Sequence, residues 1–265
     1  MTLPAYETLR TEFVEPHILV VTLNRPEVRN ALNTQMGRDL LDLWTRLVAD
    51  PGEARCVVLT GAGDKAFCSG GDLKERNNMT EPVWRAQHEL FERSYWTLMD
   101  VPVPIVAAVN GHAYAGGLET ALACDFCYAV SSARFALTEV TLGIMPGAGG
   151  TQNLPRAVGE RRAKEIILTG RPFSAQEALD WGVVNRVVAD GTLMDVTLET
   201  ARAIAGNAPL SVRQAKKSIH YGLQMEIKTA FRFEVEAYNH LVGTEDRLEG
   251  IRAFNEKRKP NFRGK

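Results

Sequence analysis

The sequence predicts an α/β protein whose sheet strands are covered on both faces, followed by an all-helical tail. Three observations carry this expectation. Short, apolar, β-branched runs alternate with helix-patterned segments up to about residue 190. Those runs are continuously apolar, as strands buried between helical layers are. Beyond residue 190 only helical patterns follow. We therefore expect a core over residues 1–190 and a helical region over 191–265.

In chain order, "HILVVTLN" (17–24) reads as the first strand. "TQMGRDLLDLWTRLVAD" (34–50) reads as a helix, with Met36, Leu40, Leu43, Trp44 and Leu47 on one apolar face. "RCVVLTG" (55–61) is the next strand; residues 82–99 form a helix, and "PIVAAVNG" (104–111) is a strand again. A helix starts at Gly116–Gly117 and leads into a strand over 124–130. In "SAQEALDWG" (174–182), Ser174 and Glu177 have capping-box spacing and Gly182 is the stop. "VVNRVV" (183–188) is the last strand. Helices are expected over 191–206, 209–222, 226–242 and 245–257, with breaks near Ala208–Pro209, Gly222 and Gly243–Thr244.

Bulk properties narrow the function classes. The 265 residues suffice for a large core. With 31 Lys plus Arg against 32 Asp plus Glu, nothing points to a general affinity for nucleic acid or anionic membrane. No apolar run reaches the roughly 20 residues that cross a bilayer. "MTLPAYETLRTEF" has neither a basic start nor an apolar stretch, so we expect a cytoplasmic protein. Cys124 and Cys127 form a C-x-x-C, but "CDFCYAV" reads as a buried strand whose odd spacing points the two thiols to opposite faces. No second ligand pair follows, so no metal site is expected.

Two glycine turns follow apolar strands: "FCSGGDL" (67–73) and "AYAGGLE" (113–119). Each is either a plain strand–helix turn or half of an oxyanion hole, in which two backbone N–H groups meet one developing oxyanion. A third cluster, "IMPGAGGTQ" (144–152), lacks the Gly-Lys-Ser/Thr ending of a phosphate loop. Glu119 sits in the first turn after the second glycine pair, and Glu139 in "RFALTEVTLG". Taken singly, they read as a helix-dipole partner and a surface-loop acid. Their apolar settings also suit an acid and a base facing one substrate.

Taken together, "KAFCSGGDLKE", "PIVAAVNGHAYAGGLETALACD", "LTEVTLGIMPGAGGTQNLPRAVG" and "FSAQEALDWGVVNRVV" resemble the signatures of the crotonase, or enoyl-CoA hydratase/isomerase, superfamily. The likeness runs from "VVTLNRPEVRNALN" to "EGIRAFNEKRKPNF". It implies a spiral of ββα units with a C-terminal helical trimerisation region, and a homotrimer or a dimer of trimers. It implies an acyl-CoA substrate, with coenzyme A as part of that substrate and neither cofactor nor metal. It implies that Gly71 and Gly116 supply the oxyanion-hole amides, that Glu119 activates water, and that Glu139 gives the α-carbon its proton. It places Arg29, Ala31, Ser69, Gly71, Asp72, Leu73, Lys74, Tyr114 and Gly117 on the substrate and CoA path. The basic run Lys257, Arg258 and Lys259 is either a solvated face or a CoA-phosphate contact. His112 is expected to be structural.

The glutamate pair favours a hydratase over an isomerase, which typically lacks the first glutamate. "LKER" (73–76) resembles the methylglutaconyl-CoA hydratases that bind AU-rich RNA, and this likeness keeps that group's branched acyl substrate open as an alternative. The lysine-rich helix of that group has no counterpart in "GRDLLDLWTRLVAD", so no nucleic-acid partner is expected. Trp84, Phe91, Tyr95 and Trp96 belong either to the core or to the acyl-pocket wall.

Overall fold

Through the middle of the chain successive strands go alternately to two sheets, and that alternation generates the fold. The structure is a computed structural model describing residues 3–265. After an antiparallel hairpin of β1 (Leu9–Glu15) and β2 (Ile18–Leu23), helix α1 (Thr34–Ala49) leads into the first turn of a spiral. That turn consists of β3 (Cys56–Gly61), β4 (Ala66–Cys68), α2 (Leu73–Arg76) and α3 (Glu81–Asp100). The second has β5 (Ile105–Val109), β6 (His112–Tyr114) and α4 (Gly116–Ala123). The third has β7 (Phe126–Val130), β8 (Arg134–Ala136), α5 (Gly150–Val158) and α6 (Glu160–Thr169). Then come β9 (Phe173–Ser174), α7 (Ala175–Asp180), β10 (Arg186–Val188), α8 (Leu193–Ala205), α9 (Pro209–Gly222), α10 (Ile227–Val242) and α11 (Glu245–Asn255). One sheet runs β1-β2-β3-β5-β7-β10 and the other β4-β6-β8-β9. This is a spiral of ββα units.

The wide sheet is parallel apart from β1. Its strands β3 and β5 are buried at every residue, which is why they read as unbroken apolar runs. On α1, the expected residues Met36, Leu40, Leu43, Trp44 and Leu47 are all buried, and the Asn33 side chain caps the helix by accepting from the Met36 amide. Gly37 lets α3 come close, because a Cβ there would lie 3.0 Å from the Phe91 ring. The Ser174–Glu177 capping box is formed, and Gly182 follows with φ +84°.

Three features differ from the expectations. The chain enters the wide sheet one strand earlier, at β1, whose charged alternation masks it. The narrow sheet is made of strands too short to register in a periodicity. Cys124 precedes β7 and caps α4, so the two cysteines do not share a strand. All four cysteines are buried and unpaired, and burial pushes the Cys127 thiol up to about 12.

The helical region is not uniform. Helix α8 covers β3, β5 and β7 of its own chain, with Leu193, Thr197, Ala201 and Ala205 buried. Helices α9 and α10 pack mainly on each other and leave large apolar side chains in the open. Among the described residues no helix is long and apolar enough to cross a membrane. No group of three or more His, Cys, Asp or Glu among them is placed to hold a metal ion.

Candidate active site

A cavity of about 660 Å³ opens where the narrow sheet meets α3, α4 and the segment before α5. Its floor is built by the two glycine turns. They touch: a Cβ on Gly70 would lie 2.7 Å from Ala115 Cβ and 3.3 Å from the Gly116 nitrogen. Each turn leaves one amide free, for a different reason. Leu32 N donates to Gly70 O, and Asp72 N donates to Leu32 O, so the intervening Gly71 turns its N–H away from that pairing. Gly116 is the first residue of α4, where helix N–H groups have no intrahelical acceptor. Ala115 O takes the N–H groups of Leu118 and Glu119, and Gly116 N finds no acceptor among the described residues. Ala115 holds this geometry at φ 51°, ψ −125°, a conformation that costs a non-glycine residue about 1–3 kcal/mol. Tyr95 reinforces it: its hydroxyl donates to Gly116 O at 2.6 Å and lies 2.9 Å from Thr120 Oγ1.

Two buried carboxyls share the cavity. Glu119, 3% exposed, accepts at Oε1 from the amides of Ala148 and Gly150, both at 2.8 Å. Gly150 is needed there, since a Cβ would lie 2.9 Å from that oxygen. The third glycine cluster is therefore a cradle for Glu119. One oxygen is fixed, leaving Oε2 for the cavity. Burial pushes the Glu119 carboxyl above the usual carboxylate range, and the two amides pull it partly back. Glu139 heads a 3-10 turn, Glu139–Leu142, and is 7% exposed. Its Oε2 is buried without a partner. Burial, aided by the charge of Glu119, pushes Glu139 up to about 7. The two carboxyls thus differ in environment, the arrangement that separates acid from base.

Of the residues named from sequence, Ser69, Gly71, Leu73, Gly116, Glu119 and Glu139 border the cavity. Arg29, Ala31, Asp72, Lys74, Tyr114 and Gly117 do not. Arg29 and Ala31 are nonetheless drawn to the first glycine turn, since Ser69 N donates to Arg29 O. Ala31 O is occupied by Arg25 Nη1. Asp72 caps α2 and pairs with Arg25 at 3.0 Å, which holds its carboxyl below the usual range. Lys74 is exposed. Tyr114 stacks on His112. Gly117 is pressed onto strand β4, where a Cβ would lie 2.1 Å from Cys68 O. In the basic run, Arg258 pairs with Glu249 and Glu256, while Lys257 and Lys259 are exposed.

Trp84, Phe91 and Tyr95 line the cavity, and Phe91 and Tyr95 are also buried in the core, so both readings of that helix hold at once. Trp96 belongs to neither, being 62% exposed. The sequence reading missed the amides of Ala148 and Gly150, and it reached Arg76 only as part of "LKER" (73–76), without its partner Gln87. A buried glutamine on the apolar face of α3 was the available signal.

The fold and this site define a class. A spiral of ββα units that brings two free amides and two buried carboxyls to one apolar cavity is built for chemistry beside a carbonyl. The statistical model of the enoyl-CoA hydratase/isomerase family matches residues 14–265, and the chain belongs to that family. It is 42% identical to the short-chain-enoyl-CoA hydratase of Clostridium acetobutylicum, covering 92% of this chain and 94% of that one. It is also 42% identical to the (E)-benzylidenesuccinyl-CoA hydratase of Thauera aromatica, covering 95% and 97%. The crystal structure of an enoyl-CoA hydratase from Bacillus anthracis superposes with a TM-score of 0.96 at 43% identity, covering 98% of this chain and all of that one.

Proposed function

We propose that the protein is an enoyl-CoA hydratase, adding water reversibly across the 2,3 double bond of an enoyl-CoA thioester. The observation that carries this reading is the pair of unlike carboxyls in one cavity with two free amides. The thioester oxygen sits on the N–H groups of Gly71 and Gly116, which stabilise the negative charge it gains as water adds. Glu119, pinned at one oxygen, holds water with the other and takes its proton as the oxygen bonds to the β-carbon. Glu139, with a value near 7, is protonated in about half of the molecules at neutral pH, and in that form it delivers the proton to the α-carbon. The π bond breaks, one C–O and one C–H bond form, and proton exchange with solvent resets both carboxyls. Dehydration runs the same steps backwards.

An isomerase moves a double bond with a single base. The retention of Glu119, with its own amide cradle, favours hydration. The relatives act on different acyl groups by name, so the acyl group is set by the cavity wall and not by family membership. The exposed apolar faces of α9–α11 support assembly into a trimer or a dimer of trimers, and the overall charge balance supports a cytoplasmic enzyme without a nucleic-acid or membrane partner.

Incubation with but-2-enoyl-CoA in heavy water tests the reaction. Hydration puts one deuterium on the α-carbon and a solvent oxygen on the β-carbon of the product. Deuterium exchange with double-bond migration but no oxygen incorporation identifies an isomerase and overturns the hydratase reading.

A further inference from the structure

Two buried hydroxyls meet on the carbonyl of Gly116, the residue whose N–H the thioester oxygen needs. Tyr95 reaches it from α3, and Thr120 from one turn further along α4. The Tyr95 hydroxyl donates to Gly116 O at 2.6 Å, Thr120 Oγ1 donates to the same oxygen at 2.7 Å, and the two hydroxyls lie 2.9 Å apart. Both residues are buried, and Tyr95 also lines the cavity. A phenylalanine would serve as wall equally well, as Phe91 does from the same helix. The Tyr95 hydroxyl is therefore accounted for by Gly116 and not by the acyl space.

The local sequence does not fix this geometry by itself. Helix α4 has eight residues, too few to be stable alone, and it opens on two glycines, which are poor helix formers. Its N-cap is Ala115, which has no side-chain oxygen to offer the first amides. Ala115 sits at φ 51°, a strained conformation that persists only where the surroundings over-determine it. Those surroundings supply two pins. On one side Ala115 N donates to Ala136 O of β8 at 2.8 Å; on the other, Gly116 O is held by the two hydroxyls. The free Gly116 N–H lies between the pins. Packing narrows its freedom further, since a Cβ on Gly116 would lie 3.0 Å from Leu32 Cδ1 and 3.4 Å from the Tyr95 oxygen. Burial, aided by the charge of Glu119, raises Tyr95 well above the ordinary phenol value, so it keeps the proton it donates.

We propose that Tyr95, together with Thr120, is a positioning residue for catalysis: its hydroxyl sets the direction of the Gly116 N–H and through it the strength of the oxyanion hole. The inference rests on the reading that Gly116 meets the thioester oxygen, and it adds residues that act through that amide. In the ground state the thioester oxygen carries little charge, and a misdirected N–H is felt little. As negative charge builds on that oxygen in the transition state, the same misdirection costs most. The loss on removing the hydroxyl therefore falls on kcat more than on KM.

Acetoacetyl-CoA reads the hole without turnover. When its α-C–H bond breaks and the proton leaves to solvent, the electron pair moves onto the thioester oxygen, and the resulting enolate absorbs in the near ultraviolet. In Tyr95→Phe we expect kcat for but-2-enoyl-CoA to fall by about 10-fold or more, with KM moving less than about threefold. The ratio of enolate to ketone in bound acetoacetyl-CoA should fall by about the same factor, while affinity for butanoyl-CoA, whose oxygen stays neutral, moves less than about threefold. Thr120→Val, which removes the second hydroxyl and keeps the side-chain shape, should shift kcat and the enolate ratio in the same direction. Should Tyr95→Phe fail to fold, Thr120→Val decides by the same two readouts. Two results overturn the inference: folded variants with wild-type kcat and enolate ratio, or an equal loss of enolate and of butanoyl-CoA binding, which marks general damage to the cavity. In both the hydratase reading stands. A wild-type protein that neither hydrates but-2-enoyl-CoA nor stabilises the enolate overturns the reading of Gly116, and the inference with it.

Discussion

At the residue scale, the two carboxyls are distinguished by their partners. Glu119 has two amides on one oxygen, and Glu139 has a buried oxygen with none. Because Glu139 titrates near 7, hydration, which on the proposed roles needs it protonated, loses kcat/KM as pH rises through about 7. Dehydration starts from Glu119 protonated and Glu139 ionised, a form with the same number of protons, and water addition leaves no net proton change, so its kcat/KM falls over the same interval. Measurement of kcat/KM in both directions across neutrality checks this; a hydration profile flat through about pH 7 contradicts it. Stability has its own sign. A carboxyl raised in the folded state favours folding while protonated, and that contribution is lost as pH climbs from the ordinary carboxylate value to about 7. Glu139→Gln removes the ionisation. We expect its melting temperature to exceed that of the wild type at alkaline pH and the gap to close below the ordinary carboxylate value; a constant gap contradicts the assignment. Both glutamates were legible as acids in apolar company. The cradle of Glu119 was not, because its amides lie 29 and 31 residues further on and carry no side-chain signature.

At the element scale, the site depends on short turns between strands and helices. The first turn of α5 must approach Glu119 without a side chain in between. Gly150→Ala places a methyl carbon 2.9 Å from the Glu119 oxygen, too close for the carboxyl to stay where it is, and a displaced base loses much of its catalytic value. We expect turnover to drop by about 10- to 100-fold with the fold retained, as followed by steady-state kinetics and circular dichroism. Unchanged turnover would show that the cradle is not needed. Legibility fails here in an instructive way. Helix α1 was readable to the residue because its buried face repeats over 16 residues. Strands such as β4, β6 and β8 have three residues each, less than two full periods, and are defined only by partners elsewhere in the chain. The free N–H of Gly71 likewise follows from its neighbours' pairing with Leu32, a long-range fact.

At the scale of the whole molecule, the alternation of strands between two sheets was not legible in the residue pattern, and the spiral form came only through resemblance. The outer helices leave large apolar side chains in the open: Leu223 is 79% exposed, Ile227 77% and Phe254 84%. Sedimentation at micromolar concentration should give a trimer or a hexamer, and Phe254→Glu should shift it towards smaller species; a monomeric wild type contradicts this. The central claim is that both carboxyls act on one water. Hydration of but-2-enoyl-CoA by Glu119→Gln, Glu139→Gln and the double variant tests it most directly. Each single change should reduce turnover at least about 100-fold, with product affinity little altered, and the double loss should fall well short of the product of the two. A Glu119→Gln protein that hydrates at the wild-type rate would contradict the claim outright, leaving Glu119 as an anion parked at a helix start.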